Sequence, residues 1–546
     1  MSDAVVIGAG PNGLVAANLL ADAGWSVIVL EAAPVPGGAV RTAELVEPGF
    51  HNDVFSAFYP LGVASPVMRS LDLERWGVRW LRPDVAVAHV AAEGRVAAVG
   101  RSVDETAASL DSWAAGDGDG WRRLYGRWSQ ADGRIVEALL SPFPPVRAGL
   151  GVVRRYNRRE LLHLVRLSLL PVRRLAEEEF SGEGAALLLA GNALHADLMP
   201  EAAGSGLFGW LLSSLAQEVG FPVPEGGAAR ITEALVRRLA AKGGEVRCNE
   251  RVVSVDVRGG RAAGVGTTSG AAVPAARAVL ADVPAPALYL DLVGRDHLPA
   301  SLLDDLRHFQ WDAGTVKVDW TLDGPVPWES DVLRRAGTVH LADSLDALTQ
   351  WAADLAMERV PSRPFLLFGQ QDVADPTRSP PGTHTAWAYT HVPRHVRNDA
   401  GADGSPGAGN GHPSTRHALT GAWTPEESAE MADRIEAIVE ERAPGFCGLI
   451  RGRHILTPPT LESRDPSLVG GAINGGTAQL HQQLVFRPTV GWGRAETPVA
   501  GLFLAGSSAH PGGGVHGACG ANAARAALAA DKRRRVLTAV GFARPS

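Results

Sequence analysis

The chain has 546 residues, 45% of them hydrophobic, which is too much apolar surface for one ordinary core and implies at least two domains. A charged fraction of 20% and a formal net charge of -7 argue against nucleic acid as a partner. Its three cysteines, Cys248, Cys447 and Cys519, lie far apart with no C-x-x-C pair, which disfavours a disulfide framework, a zinc site or a dithiol couple and fits a thiol-reduced, cytosolic setting.

Only Met1, Ser2 and Asp3 precede the apolar run Ala4–Ile7, so no secretory leader is expected, and no apolar run is long enough to span a bilayer. Ala4–Ile7 reads as a strand, Gly8–Gly13 as a turn, Leu14–Ala23 as a helix and Ser26–Leu30 as a second strand. In the turn Gly8-Ala9-Gly10-Pro11-Asn12-Gly13, glycines let a diphosphate approach the amides at the helix N-terminus. Glu31, followed by Ala32, closes the second strand where a ribose hydroxyl is accepted. This pattern implies a dinucleotide and leaves NAD and FAD open. A second glycine pair in Pro36-Gly37-Gly38-Ala39-Val40-Arg41-Thr42 suits close approach to the same cofactor, with Arg41 available for phosphate or flavin-side contacts. Phe55, Phe58 and Tyr59 follow as candidates for the substrate end or for plain core packing.

From Arg101 to Leu215 the pattern is helical, broken at Ser141–Pro145. Residues 147–174 carry eight arginines among Val, Leu and Tyr, opposed only by Glu160. They predict either a basic face for an anionic membrane or a solvated helical face balanced by Glu177, Glu178 and Glu179. A turn at Pro224–Gly227, a helix at Ile231–Ala241 and strands around Glu245–Val257 and Ala278–Ala281 can return to the first sheet. Thr315–Leu322, Thr338–Ala342, Pro364–Gly369 and His384–Val392 predict a separate antiparallel sheet. Arg397–Leu419 reads as a mobile surface loop and Pro425–Arg442 as a helix. The chain closes with a strand (Leu502–Ala505), a glycine turn (Gly506–Gly514) and a helix (Val515–Ala530). A helix N-terminus there suits the anionic reduced ring of a flavin, which turns the dinucleotide reading towards FAD. His510 and His516 flank this turn and are the candidates for a catalytic base; His481 and Arg487 are candidates for the substrate tunnel.

Together, Val5–Thr42, Glu225-Gly226-Gly227 and Gly506–Gly517 resemble the phytoene desaturase-like branch of the flavin amine oxidase superfamily. Its more specific marks are Gly37–Thr42 followed by Pro48-Gly49-Phe50, and the turn His510–Val515. Trp320–Trp328 and Trp387–Pro393 are similar to the group named after the pyridine nucleotide-disulfide oxidoreductase domain-containing protein 2. The resemblance covers nearly the whole chain outside Arg397–Leu419.

It implies an α/β fold in which a Rossmann-type FAD-binding domain is built from discontinuous segments, 1–60, 221–290 and 455–546. An α+β substrate domain, antiparallel sheet plus helical cap, is inserted as 61–220 and 291–454, and an apolar tunnel ends at the flavin. By position, Gly8, Gly10, Pro11, Asn12, Gly13, Glu31, Ala32, Gly37, Gly38, Ala39, Val40 and Arg41 would carry the ADP half, and Val253 would meet adenine. Gly506, Ser507, Gly514 and Val515 would hold ribityl and isoalloxazine. Ser507-Ser508 replaces an acid frequent in relatives, and Ala39 replaces an arginine expected in amine oxidases, which weakens an amine substrate. The expected activity is hydride transfer between a hydrophobic, isoprenoid or lipid-like substrate and flavin N5. The alternatives are a redox-neutral flavin isomerase and a non-enzymatic binding protein like the GDP dissociation inhibitors. No metal, nucleic acid or protein partner is expected.

Overall fold

The computed structural model describes residues 2–402 and 417–539. In chain order, β1 (Ser2–Ile7), α1 (Pro11–Asp22) and β2 (Val27–Leu30) form the opening βαβ unit. Two strands, β3 (Val85–Val90) and β4 (Val96–Val99), precede a helical stretch that includes α2 (Val146–Val153), α3 (Arg158–Leu167), α4 (Glu183–Leu194) and α5 (Ser205–Glu218). Then come α6 (Ala229–Ala241), β5 (Glu245–Arg247), β6 (Val252–Arg258), β7 (Arg261–Thr267) and β8 (Ala272–Ala281). They are followed by β9 (Gly314–Leu322), β10 (Ala336–Leu341), β11 (Leu366–Gly369), β12 (His384–Val392), α7 (Pro425–Arg442), β13 (Ile450–Leu456), β14 (Leu502–Leu504) and α8 (Ala518–Ala539).

The first sheet runs β6-β7-β8-β1-β2-β5, with β14 also paired to β8. Its centre is parallel, and β1 is buried on both faces, which is why Ala4–Ile7 reads as an unbroken apolar run. Alternate side chains serve the two faces. Val6, Val29 and Leu280 pack beneath α1, α6 and α8, whereas Val5, Ile7 and Val279 pack with Val255, Leu288 and Tyr289. Helices α1 and α8 touch through alanines, and a side-chain carbon at Gly520 would lie 1.9 Å from the Asn12 carbonyl oxygen. The C-terminal helix is thereby seated directly behind the first glycine turn. It begins at Ala518, later than the sequence predicts, where His516 Nδ1 accepts the Ala518 N–H (3.0 Å) and caps the first turn.

The second sheet runs β13-β9-β12-β11-β10-β3-β4. The four strands expected to form an antiparallel sheet, β9 to β12, pair antiparallel with one another, and the sheet continues past β10, which pairs with β3 in parallel. Strands β3 and β4 were not read from the sequence because short, almost wholly apolar runs lack the alternation that marks a half-exposed strand. The 454/455 boundary also falls inside β13, which belongs to this second sheet. Along β9 the alternation is strict: Val316, Val318, Trp320 and Leu322 pack with Phe368 and with Met431 and Ile435 of α7, while Thr315, Lys317, Asp319 and Thr321 turn to the other face. Of the segment Arg397–Leu419, residues 403–416 lie outside the described residues. Its flanks are anchored and correct the mobile reading there: Asn398–Asp399 pairs with Arg359–Val360, and Asp399 takes both guanidinium nitrogens of Arg434 at 2.9 Å.

A fully buried ion cluster joins the two layers. Arg378 reaches Asp53 at 3.0 Å and Asp375 at 2.8 Å, with all three side chains 0% exposed. Asp53 also accepts from Thr42 Oγ1 and the Ala228 N–H, both at 2.8 Å, and Asp375 from the Gly226 N–H at 2.8 Å.

Candidate functional site

A cavity of about 700 Å³ begins at the carboxyl ends of β1 and β2 and reaches the second sheet. That is the crevice in which open α/β sheets bind ligands. Of the residues predicted to hold the cofactor, Gly8, Gly10, Pro11, Asn12, Glu31, Ala32, Gly38, Ala39, Val253, Ser507, Gly514 and Val515 line it. Gly13, Gly37, Val40, Arg41 and Gly506 do not. Gly13 packs the turn against itself, since a side-chain carbon there would meet the Gly8 carbonyl oxygen at 2.2 Å. Arg41 is corrected from a phosphate ligand to a staple behind the loop: its Nε–H donates to the Gly38 carbonyl and an Nη to the Arg464 carbonyl, both at 2.8 Å. Its guanidinium lies 5.0 Å from the centre of the Phe55 ring.

The wall fits a dinucleotide. Asn12 Oδ1 and Asn474 Nδ2 are buried, line the cavity and have no hydrogen-bond partner among the described residues, a costly state that a bound ligand relieves. Glu31 accepts the Ala9 N–H at 2.7 Å and the Ala33 N–H at 2.8 Å, and a carboxylate keeps further lone pairs for ribose hydroxyls. FAD bound here would rest its diphosphate on the α1 N-terminus and supply a hydride acceptor at the Ser507–Val515 end. Asp282, at the end of β8, also faces the α1 N-terminus and accepts the Gly13 N–H at 2.7 Å.

Burial pushes the Asp282 carboxyl from its ordinary 3.8 up to about 7. The unfolded chain therefore ionises first as pH rises, and stability present at pH 4 and below is lost progressively until about pH 7. The whole effect is at most about 4 kcal/mol. Asp282→Asn keeps an acceptor for Gly13 and removes the titration. We expect its urea midpoint, relative to wild type, to rise between pH 4 and pH 8; a constant difference across that range contradicts the assignment.

The substrate half is a row across the second sheet, paired in register as Lys317, Tyr389, Leu367, His340 and His89 on β9, β12, β11, β10 and β3. Lys317, Tyr389 and Leu367 line the cavity with Thr315, Trp387 and His195, as do Phe58, Phe208, Leu211, Leu212 and Phe221. The ammonium of Lys317 donates to both Asp319 oxygens (2.5 and 2.6 Å) and to the Asp53 carbonyl (3.0 Å), so its three N–H groups are all used. Burial raises the Asp319 carboxyl to about 6 against the opposing pull of Lys317. Phe55 and Tyr59 also line the cavity, and the Tyr59 hydroxyl is tied to Ser56, donating to its carbonyl at 2.8 Å.

Four candidates are corrected. His510 is buried beside Phe143, with Nε2 at 3.1 Å from the Ser141 carbonyl, and His516 caps α8; neither lines the cavity. Burial lowers both imidazoles to about 4, so they are neutral structural groups. His481 is exposed, with Nε2 at 2.9 Å from Gln310 Oε1, outside the cavity. Arg487 is buried below the wall, where its guanidinium donates to the carbonyls of Asn474 (3.0 Å), Thr477 (2.9 Å) and Ser507 (2.8 Å). Asp312 holds the same 473–476 loop from its amides, at 2.7 Å to Ile473 and 2.8 Å to Asn474. Arg487 thus positions Asn474 without touching the cavity.

The residues that sequence reasoning missed are Asp282, Asn474, Lys317 and His195. One signal was present: Lys317 and Asp319 stand two apart on the polar face of a strictly alternating strand, and buried charges in such a pair mark a site. Among the described residues no group of three or more His, Cys, Asp or Glu is placed to hold a metal ion.

Comparison with known proteins agrees with this geometry. Residues 12–391, more than half of the chain, match the family model described as flavin containing amine oxidoreductase. Pyridine nucleotide-disulfide oxidoreductase domain-containing protein 2 of Mus musculus is 28% identical over 573 residues, covering 96% of this chain and 92% of that one. A neurosporene-forming phytoene desaturase of Rhodobacter capsulatus is 25% identical over 56% of this chain and 53% of its own. Among solved structures, an oxidoreductase from Methanosarcina mazei (TM-score 0.60, 17% identity) covers 96% of this chain and 99% of its own. Putrescine oxidase with bound putrescine (TM-score 0.58, 17% identity) covers 97% of this chain and 99% of its own; both share the fold. The cavity, its dinucleotide wall and the family match agree: the chain belongs to the flavin-containing amine oxidoreductase family and is an FAD-dependent oxidoreductase.

Proposed function

We propose that this oxidoreductase is a dehydrogenase of the desaturase type, which moves hydride between a carbon of a hydrophobic, lipid-like substrate and FAD. The observation that carries the reading is the continuity of the cavity: the wall that fits the dinucleotide opens without a break onto the aromatic and leucine chamber formed by Phe58, Phe208, Leu211, Leu212 and Phe221. Among the described residues four carboxylates reach the cavity, Glu31, Asp282, Asp291 and Asp465, and they lie along the cofactor half. With no carboxylate among the described residues on the apolar half, a cationic amine has no counter-charge there, which favours an uncharged substrate. The phytoene desaturase among the relatives supports the same reading by name. Anaerobic mixing of the FAD-loaded enzyme with fractionated lipid extracts tests it: loss of oxidised-flavin absorbance is expected with an apolar fraction, and reduction only by polyamines or other water-soluble amines contradicts it.

Helices α2 and α3 support delivery from a membrane surface. Val146, Leu150 and Val153 on α2, Leu162 and Val165 on α3, and Leu169 just after it, are all more than half exposed, at helical spacing. Arg155, Arg166, Arg173 and Arg174 are paired with acids, but Arg147, Arg154, Arg158 and Arg159 make no ion pair among the described residues. An apolar face rimmed by free arginines suits anionic lipid. Among the described residues, no helix is long and apolar enough to cross a membrane. Flotation with anionic vesicles at low salt is expected to carry the protein, and Leu150→Glu/Leu162→Glu to abolish this; an unchanged fraction in the variant removes the membrane reading.

A further inference from the structure

Where the chamber of the proposed dehydrogenase meets α4, its wall carries two neutral histidines whose hydrogens the geometry fixes. His195, at the C-terminal cap of α4, lines the cavity, and its Nε2 lies 2.9 Å from Nε2 of His340 on β10. Two facing ring nitrogens share one hydrogen, so one ring is protonated there and the other is bare. His340 decides which. It is fully buried, its Nδ1 has no hydrogen-bond partner among the described residues, and a side-chain carbon at Gly191 of α4 would lie 2.1 Å from that atom. A bare nitrogen tolerates such an apolar neighbour, whereas a buried N–H without an acceptor is strongly disfavoured. His340 therefore carries its hydrogen on Nε2 and donates it to His195, which leaves the hydrogen of His195 on Nδ1. Behind the pair, His89 is already committed, with Nε2 at 3.0 Å from the Ala342 carbonyl. Burial holds His195 down to about 3 and His340 well below the usual range, so neither takes a second proton at neutral pH.

Among the described residues, no acceptor receives the His195 Nδ1–H. We infer that His195, fixed as a donor by His340, binds a neutral oxygen of the substrate, which is an apolar chain bearing a hydroxyl or carbonyl group. A pure hydrocarbon would leave this donor without a partner. A carboxylate would find no free positive charge on the same wall, because Lys317 is consumed by Asp319 and the histidines are neutral. An amine would find no carboxylate there. The inference rests on the dehydrogenase reading and adds the polar end of the substrate to it. His195 is here a specificity-determining residue and His340 a positioning residue acting through it.

The test uses the FAD-loaded enzyme and four probes on one isoprenoid skeleton: farnesene, farnesol, farnesoic acid and farnesylamine. Binding is read from perturbation of the flavin visible spectrum. Farnesol is expected to bind about ten-fold or more tightly than the other three, the worth of one hydrogen bond. His195→Phe, checked for FAD content and melting temperature, is expected to reduce that preference to about three-fold or less. His195→Gln, which keeps an N–H donor, is expected to retain it, and His340→Phe to weaken it. Equal binding of farnesene and farnesol, tighter binding of the acid or the amine, or a preference that survives in His195→Phe overturns the inference and leaves the dehydrogenase reading standing. Failure of all four probes to bind the wild-type enzyme overturns the hydrophobic-substrate reading and this inference with it.

Discussion

Arg378→Met is expected to lower unfolding free energy by about 3–5 kcal/mol. Arg378 is enclosed with Asp53 and Asp375, all 0% exposed, and its removal strands two buried carboxylates at once. The site makes the loss functional as well as structural. Asp53 also holds Thr42 and Ala228, which adjoin the second glycine pair and the Gly226-Gly227 turn, and Asp375 holds the Gly226 amide. Released FAD should therefore rise together with the fall in the urea midpoint. Restoring a cation alone should recover little, because Arg378 also donates to the His51 carbonyl through the fixed fork of its guanidinium. Equilibrium denaturation of wild type, Arg378→Met and Arg378→Lys decides the matter. A loss below about 1 kcal/mol would place the cluster among pairs that merely break even.

The second large effect is expected at Lys317. Lys317→Met leaves Asp319 buried beside it without a partner and should also cost about 3–5 kcal/mol. Because the two side chains make one unit, the costs should not add: Lys317→Met/Asp319→Asn is expected to recover at least half of the loss, since the remaining amide carries no charge. The buried carboxyl at about 6 fixes the direction of the pH response. In Lys317→Met that carboxyl loses the cation that restrains it and rises further, so the variant is least destabilised at low pH, where Asp319 is protonated in both folded and unfolded states. The measurement is a double-mutant cycle in urea at pH 5 and pH 8. Additive costs, or a single-variant penalty independent of pH, would contradict the pairing.

The cofactor half was legible because its determinants are local. A glycine turn between strand and helix, and an acid at the end of the next strand, need only a few residues of sequence each, and Gly8, Gly10, Pro11 and Asn12 fall with Glu31 on one cavity wall. The substrate half was not, because it is assembled by sheet register: Lys317, Tyr389, Leu367 and His340 come from four strands and become neighbours only when β9 to β12 pair. Asp282 escaped for the same reason, since its partner Gly13 is 269 residues away. The histidines near the last turn misled in the opposite way. His510 and His516 adjoin in sequence the glycines expected to face the flavin, yet the cap of α8 and the Ser141 carbonyl turn their rings away from the cavity. Arg487, expected along the substrate tunnel, lies below the cavity wall with its guanidinium spent on loop carbonyls.

The visible spectrum of the purified protein and of its Gly13→Val variant, after titration with FAD and gel filtration, tests the cofactor site most directly. A side chain at Gly13 collides with the Gly8 carbonyl at 2.2 Å, backbone that cannot move aside without opening the turn. The wild-type protein is predicted to retain one FAD per chain, released on denaturation, and the variant to retain almost none while keeping its far-ultraviolet signature. A wild-type protein that stays colourless, or a variant that holds FAD equally well, would contradict the assignment of this cavity to the cofactor.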